Sequence, residues 1–512
     1  MVGLEPEGSN PYNFEVWAYT RAWPASSASR HGHAIARGGP HARLDYAGGA
    51  AGRTSKRVME PALSAIAKHA VIIGAGMGGL AAAAAAAPWF EKVTVLERDA
   101  LPDAPAQRLG ALQGRHVHAL LAGGQQALET LLPGFGREIV AAGAVPVRAN
   151  SDVRFEAPGY DPFPQRDFGW TTVCASRPLI EFTVRRLAAR PNVDFRSRAH
   201  VRRLELDPTG AAIAAVLVED DAGKTERLAA DLVIDASGRA GPTLRLLTDL
   251  GRPPPDETVI GVDFNYATAV FEMPDEAPDG WKVVMTQPRV PESARGALLA
   301  PLENGQWILS VGGRAEETPP DDPDAFMACI EGLRTSTIYD AVQGAPMIGD
   351  IARYGFREST WRHFERLEGM PEGLIPFGDS ICRFNPVYGQ GMSVAAFEGV
   401  LLARLLAERA SSPDSLIGLS AAFLAEVQSV IQAPWDMSAI PDFIFPSTRG
   451  ERPANLDQIF AYGAAFGRLA ADDAEAHKLD AEVRALLKPP SALAEPGIVA
   501  KVMAVMAQMQ AA

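Results

Sequence analysis

The stretch Ala70-Val71-Ile72-Ile73-Gly74-Ala75-Gly76-Met77-Gly78-Gly79 constrains this chain more than any other. A short apolar run leads into G-x-G-x-x-G, and an unbroken alanine run, Ala81 to Ala87, follows. That is the order strand, tight turn, helix; Val93-Thr94-Val95-Leu96 then supplies a second strand and completes a βαβ unit. The glycines have separate tasks: Gly74 turns the chain out of the strand, Gly76 lets backbone approach a pyrophosphate, and Gly79 lets the helix lie close on the sheet, with Gly78 in the same turn. A pyrophosphate there meets free N–H groups and the positive end of a helix dipole. Glu97 ends the second strand about 20 residues on, where a carboxylate accepts both ribose hydroxyls and repels a 2′-phosphate. Arg98 beside it is a further candidate contact. Turn and carboxylate together predict an unphosphorylated dinucleotide, FAD or NAD.

The choice between them rests on the far end of the chain. Leu374-Ile375-Pro376-Phe377-Gly378-Asp379-Ser380 reads as a strand ending in Gly-Asp, and Asn385-Pro386-Val387-Tyr388-Gly389-Gln390-Gly391-Met392 opens a helix. A strand-end carboxylate suits the hydroxyls of a ribityl chain. The Gly-rich helix start offers N–H groups and a positive dipole to the N1 and C2-oxygen edge of a reduced flavin. Nicotinamide has no ribityl chain, so FAD is the expected cofactor. Asp379, Pro386, Gly389, Gln390, Gly391 and Met392 are the expected second half of its site.

With these motifs in place, residues 68 to 410 resemble the FAD-dependent monooxygenases of the aromatic hydroxylase and squalene epoxidase type. The resemblance is carried by Gly378-Asp379 followed by Pro386 and Gly389-Gln390-Gly391, which match that family's G-D and P-x-x-G-x-G. It implies that Asp379 binds the ribityl chain and that the Pro386 turn lies beside the isoalloxazine. Arg108-Leu109-Gly110 through Gln113-Gly114-Arg115-His116-Val117-His118 looks like the polyether-epoxidase-like subgroup, which implies Arg108 as an FAD contact. Ser176-Arg177-Pro178-Leu179 resembles another family position and makes Arg177 a second candidate. The implied function is an oxidoreductase, in the first place a monooxygenase that epoxidises or hydroxylates an apolar or aromatic small molecule with O2 through a flavin C4a-hydroperoxide. A reductase or saturase of isoprenoid double bonds and a non-enzymatic flavin-binding protein are the alternatives. A halogenase is disfavoured because W-x-W-x-I-P is missing and Trp281 and Trp307 stand apart in sequence. The family's Asp-Gly pair reads Asp235-Ala236-Ser237-Gly238-Arg239 here. That Ser, and the lack of a second G-x-G-x-x-G, leave the electron source as transient NAD(P)H or a separate flavin reductase.

His116 and His118 share a face if their segment is extended and lie about 200° apart if it is helical. They read as structural histidines or as groups positioning substrate near the flavin. No third ligand accompanies them, so no metal is expected, and G-x-S-x-G of a serine hydrolase is absent. Cys174, Cys329 and Cys382 have no C-x-x-C spacing and indicate neither disulfides nor zinc. Cys382 reads as a packed thiol rather than a flavin tether. A formal charge of −14 with no basic stripe argues against nucleic acid. No apolar run is long enough for a transmembrane span, and the free cysteines fit a cytoplasmic setting.

The expected fold class is α/β: a Rossmann-type FAD-binding domain with an inserted β-sheet substrate domain and a helical C-terminal region. Residues 1–65 read as a disordered leader, with Met59 as the natural start and the preceding segment an upstream extension. The FAD-binding domain is expected over 66–150, 176–250 and 351–410, the substrate domain over 151–175 and 251–350, and the helical region over 411–512. Helices are expected at Gly391 to Glu408 and Ser415 to Val430, then beyond Pro434, with Val499, Met503 and Met506 at helical spacing in the core. The inserted sheet carries no charged constellation visible in sequence, so the substrate is not specified beyond an apolar or polycyclic molecule.

Overall fold

The computed structural model describes residues 65–412 and 414–511. The expected leader lies outside them apart from residue 65. The βαβ unit forms as the sequence implies: Ala67–Ile73 pairs in parallel with Phe90–Leu96, in the register Val71↔Thr94 and Ile73↔Leu96. Its other neighbour is Leu232–Asp235, and the full parallel sheet runs Leu374–Pro376, Leu232–Asp235, Ala67–Ile73, Phe90–Leu96, Val193–Arg196. Strands buried on both faces need no polar alternation, which is why residues 70–73 and 232–234 read as apolar runs, whereas the half-buried edge strand Val193–Arg196 alternates.

The helix after the turn, Met77–Ala86, is buried along nearly its whole length. Small residues make that possible. A Cβ on Gly79 would sit 1.8 Å from the Gly74 carbonyl oxygen, so only glycine permits this helix-to-strand distance. On the other side lies the helix Gly391–Arg409. A Cβ on its Gly399 would sit 3.1 Å from the Ala81 Cβ and 2.8 Å from Leu131 Cδ1. The alanine run and Gly399 bring two helix axes close together and carry both N-termini to the C-terminal edge of the parallel sheet.

The second layer is a seven-stranded mixed sheet. Its order is Cys382–Arg383, Met347–Arg362, Glu257–Glu272, Gln306–Arg314, Gly296–Leu302, Val283–Thr286, Val153–Glu156. The Asn304-Gly305 hairpin forms with both residues left-handed, at φ +66° and +65°. Side chains alternate across this sheet. Leu299, Trp307, Leu309 and Val311 pack with Phe326 and Ile330 of the helix Pro323–Glu331 in one core; the intervening Ile308, Ser310, Gly312 and Arg314 face a cavity. Near the divisions expected at 150 and 350 lie a separate two-stranded sheet and one long strand of this layer. Val145–Arg148 pairs with Thr171–Cys174, and Met347–Arg362 is one continuous strand.

Helices close the molecule, as expected, with two differences. The second C-terminal helix runs Leu419–Asp442 and continues through Pro434 and Pro441 instead of ending near Val430. A proline removes one helical donor, and here the buried Trp435, Met437 and Ala439 hold the segment through that loss. In the last helix, Pro496–Ala511, Val502 and not Met503 is the fully buried residue; Met503 is 53% exposed. Val505, Met506 and Met509 pack against a cluster around Phe163, Tyr462 and Phe466, as expected for Met506.

Candidate cofactor and substrate site

One cleft of about 1520 Å³ separates the parallel sheet, the mixed sheet and the C-terminal helices. It exceeds the ~300–1,000 Å³ usual for one small ligand. Gly74, Gly76, Gly78, Glu97, Arg98, Arg108, Arg177, Asp379, Pro386, Gly389, Gln390, Gly391 and Met392 all line it. Sequence positions more than 270 apart are therefore brought to one site. Gly79 does not line the cleft, because its contact is with the Gly74 backbone behind the turn.

Two helix N-termini open onto this space. Met77–Ala86 starts from Gly76 with no side-chain cap and no acidic residue in its first turn. Gly391–Arg409 starts from Gln390 in the same condition. A helix start without a capping oxygen leaves N–H donors and a positive dipole for an external anion. A Cβ built on Gly76 meets nothing within 4 Å, so that position is open for a ligand to approach the backbone. Strand order places Glu97 at the end of the second strand and Asp379 just beyond Leu374–Pro376. Each carboxylate thus stands near one of these helix starts.

A chain of buried charges runs inward from Glu97 to His118. Glu97 Oε2 accepts from the Ala75 N–H at 2.8 Å and pairs with Arg108 at 3.1 Å. Arg108 reaches Glu181 at 2.8 Å, Glu181 binds Arg177 at 2.9 Å, and Arg177 donates to His118 Nε2 at 3.2 Å. Burial pushes the Glu181 carboxyl up, but Arg177 and Arg108 outweigh it and leave the group below its usual range. His118 Nδ1 donates to the His116 carbonyl at 2.9 Å, which fixes the tautomer that lets Nε2 accept from Arg177. Burial, with Arg177 beside it, takes His118 down to about 3. Arg108 and Arg177 are thus salt-bridged within the protein as well as facing the cleft.

Asp379 has no hydrogen bond to its carboxylate among the described residues. Burial raises its pKa while Arg177, Arg383 and Arg362 pull it back. Behind it Glu398 accepts from the Gly378 N–H at 2.6 Å, and burial holds Glu398 at about 8, so it keeps its proton at neutral pH. The Asp235 carboxylate is used inside its own turn by the Ser237 N–H, the Thr243 N–H and the Thr243 hydroxyl, while Ser237 and Arg239 face the cleft. Cys382 is buried and does not line the cleft; burial puts its thiol well above the ordinary value. Trp281 and Trp307 stack on each other at 6.1 Å away from the cleft.

The half of the cleft over the mixed sheet has a different character. Val147, Val153, Phe155, Val283, Met285, Leu298, Ala300, Leu302 and Ile308 form an apolar floor. Phe264, Tyr266, Tyr354 and His116 add an aromatic wall, with His116 edge-on to Tyr266 at 4.6 Å. His116 Nδ1 bonds the Thr268 hydroxyl at 2.8 Å, and Thr268 bonds Ser310 at 2.6 Å. Burial takes His116 down to about 4 and pushes the Tyr266 phenol up, so both are neutral at pH 7.

Contrary to the sequence expectation, this half does contain a charged constellation. Arg314 ends the cavity-facing series of its strand and pairs with Asp442 at 2.8 Å. Asn385 donates to both Asp442 oxygens, Thr448 accepts from Arg314 at 2.9 Å, and the Arg314 guanidinium lies 4.2 Å from the Phe445 ring centroid. Arg314 was discoverable, since it shares the period-two register of Ile308, Ser310 and Gly312. Asp442 was not, because its position depends on a helix running through Pro434. Among the described residues no cluster could hold a metal, and no helix is long and apolar enough to cross a membrane.

Protein Rv3254 of Mycobacterium tuberculosis (strain ATCC 25618 / H37Rv) is 34% identical over 408 residues, covering 75% of this chain and 84% of the relative. The chain belongs to the Rv3254 family. No family model matches the sequence. Among solved structures, the flavin-dependent brominase Bmp2 superposes with a TM-score of 0.59 at 16% identity, covering 81% of this chain and 93% of that one. CmlS, a flavin-dependent halogenase, gives 0.54 at 18% identity over 82% and 77%. OxyS anhydrotetracycline hydroxylase from Streptomyces rimosus gives 0.52 at 17% identity over 82% and 76%. The mixed α/β architecture with a parallel sheet and helical C-terminal region is the fold of these flavin enzymes.

Proposed function

We propose that the chain is an FAD-dependent oxidoreductase, most simply a monooxygenase acting on an apolar or aromatic small molecule. The observation that carries this reading is the convergence of two uncapped helix N-termini, with Glu97 and Asp379 beside them, on one cleft. That donor set fits FAD: Gly74 to Gly78 for the pyrophosphate, Glu97 for the adenosine ribose, Asp379 for the ribityl chain, and the Pro386 to Met392 turn for the ring edge. Arg98 and Arg108 line the adenosine end, and Arg177 lies between the two. When bound and reduced, the flavin supplies O2 activation and electrons. The protein's part is orientation and exclusion of water: the buried ion pairs fix the cofactor walls, and the apolar floor with its neutral polar groups holds the substrate against the ring.

Arg108 to Gln113 and His116 to His118 line the cleft, which supports a role for this segment in holding cofactor or substrate. Electrons would come from NAD(P)H bound transiently or from a separate flavin reductase, and a cytoplasmic setting fits three unpaired cysteines. The parallel sheet with its helices is the proposed FAD-binding domain, and the mixed sheet the substrate domain.

The direct test is flavin content. The purified protein should show a flavin spectrum, and Glu97→Ala with Asp379→Ala should lose it; full retention of FAD by the double variant would refute the site. Rapid O2 uptake by the reduced protein, with oxygen recovered in the product, supports the monooxygenase. Slow uptake with saturation of an isoprenoid double bond favours the reductase reading, and uptake that yields halogenated product only when halide is present favours a halogenase.

A further inference from the structure

Arg314 and Asp442 form a buried ion pair at 2.8 Å on the substrate side of the cleft. Both side chains are more than nine-tenths buried, yet both line the cleft beside the Pro386 to Gly391 turn. They join three separate elements: the mixed sheet through Arg314, the flavin-side turn through Asn385 and Tyr388, and the C-terminal helix through Asp442. The cation on the sheet face is therefore neutralised before any ligand arrives.

The rest of the substrate half follows the same rule. His116, His118 and His477 are held neutral, at about 4, 3 and 3, chiefly by burial. The Cys174 thiol is pushed up to about 12. Asp480 and Arg484, farther along the wall, pair with each other at 2.7 Å; Arg383, over the Phe356 ring at the opposite edge of the mixed sheet from that floor, has no carboxylate partner among the described residues. An ionised ligand laid on the Val153, Met285, Leu298 and Ala300 floor would lose its water and find no uncommitted countercharge there, which is unfavourable.

We infer that the Arg314–Asp442 pair is a specificity element that makes the cleft select uncharged, extended apolar or aromatic substrates and reject their carboxylates. This rests on the reading of the mixed-sheet half as the substrate side of a flavin site. Asp442 is the determinant, because it cancels an arginine that would otherwise bind anions well.

Calorimetric titration of the FAD-containing protein at pH 8 with methyl 1-naphthoate and with 1-naphthoate tests it. Wild type should bind the ester at least about tenfold more tightly than the acid. Asp442→Asn frees the Arg314 charge and should tighten naphthoate about tenfold while leaving the ester unchanged; Asp442→Asn with Arg314→Gln should abolish that gain. Equal binding of acid and ester by wild type, no ester binding up to its solubility limit, or no gain in Asp442→Asn would each overturn the inference. If a variant fails to fold, as judged by its thermal transition, the wild-type comparison decides alone. Heat is read independently of flavin colour, so a colourless preparation that still discriminates ester from acid counts against the flavin reading and not against the charge selection.

Discussion

Beneath the parallel sheet the cleft is walled by ionised groups in sequence, Glu97, Arg108, Glu181 and Arg177, each neutralised by the next. Over the mixed sheet it is walled by apolar side chains and by histidines and a tyrosine kept uncharged by burial, with the cancelled ion pairs Arg314–Asp442 and Asp480–Arg484 at its margins. The first half suits a ligand of fixed, highly polar structure. The second suits a ligand whose binding energy comes from area and shape. Because charged side chains leave motifs and apolar surfaces do not, the two halves also differ in how far they can be read from sequence.

The comparison is tested most severely by Arg108. Arg108→Met leaves Glu97 and Glu181 buried without their shared partner, and breaking such a pair costs about 3–5 kcal/mol. Urea unfolding should show that loss, together with weaker flavin retention. Arg314→Met removes the corresponding arginine in the other half and should cost less, because Asp442, already at about 6, can take up a proton. Equal losses for the two variants would erase the distinction between the halves.

Neighbouring residues on the mixed sheet sharpen it further. Leu309 packs into the core beneath the sheet and Ile308 faces the cleft. Leu309→Ala should cost about 2–5 kcal/mol through a dry cavity. Ile308→Ala should cost less, since it only widens an existing space, and should shift activity towards bulkier substrates. A thermal-shift comparison of the two, followed by a substrate size series, checks both expectations.

Two glycines make a smaller but cleaner contrast. A Cβ at Gly79 meets the Gly74 carbonyl oxygen at 1.8 Å, whereas a Cβ at Gly312 meets the tip of the Phe264 ring at 2.2 Å. Backbone cannot rotate away and a ring beside a cavity can. Gly79→Ala should therefore cost about 1–3 kcal/mol or more by overpacking, with loss of flavin, and Gly312→Ala less, with a changed substrate profile. Unchanged flavin content in Gly79→Ala would show that this close packing does not set the pyrophosphate turn.

These contrasts explain what was legible beforehand. That Gly74, Gly76 and Glu97 would meet at one cleft could be read because a tight turn, a close backbone approach and a carboxylate at the end of the next strand each call for one residue type at a fixed spacing. Asp379 and Gly389 to Gly391 could be read for the same reason. Arg108 and Arg177 were visible as candidates, but their shared partner Glu181 was not, because nothing in a helix sequence announces which buried carboxylate will face two arginines. Asp442 was hidden by Pro434, a residue that usually ends helices and here sits inside one. The apolar floor left only alternation, which fixes a face but not what lies against it.

The smallest expected effect is a pH dependence confined to the mixed-sheet half. Burial raises Asp442 to about 6, and Arg314, Asn385 and Tyr388 partly oppose that shift. Arg314 from the sheet is the charged group facing it; Asn385 and Tyr388 from the turn and Thr448 beyond its own helix are neutral. A carboxyl whose folded pKa is raised contributes stability that is fully present below its ordinary value near 3.8 and is lost as pH rises through about 6. In the same window protonation uncovers the Arg314 charge. The affinity of wild type for 1-naphthoate, which stays largely ionised at pH 5, should therefore tighten about tenfold between pH 8 and pH 5, a change of roughly 1.4 kcal/mol. Asp442→Asn should show no such slope, because its arginine is uncovered at every pH. The ester should be flat in both proteins, and a slope for the ester would place the titrating group somewhere other than this pair.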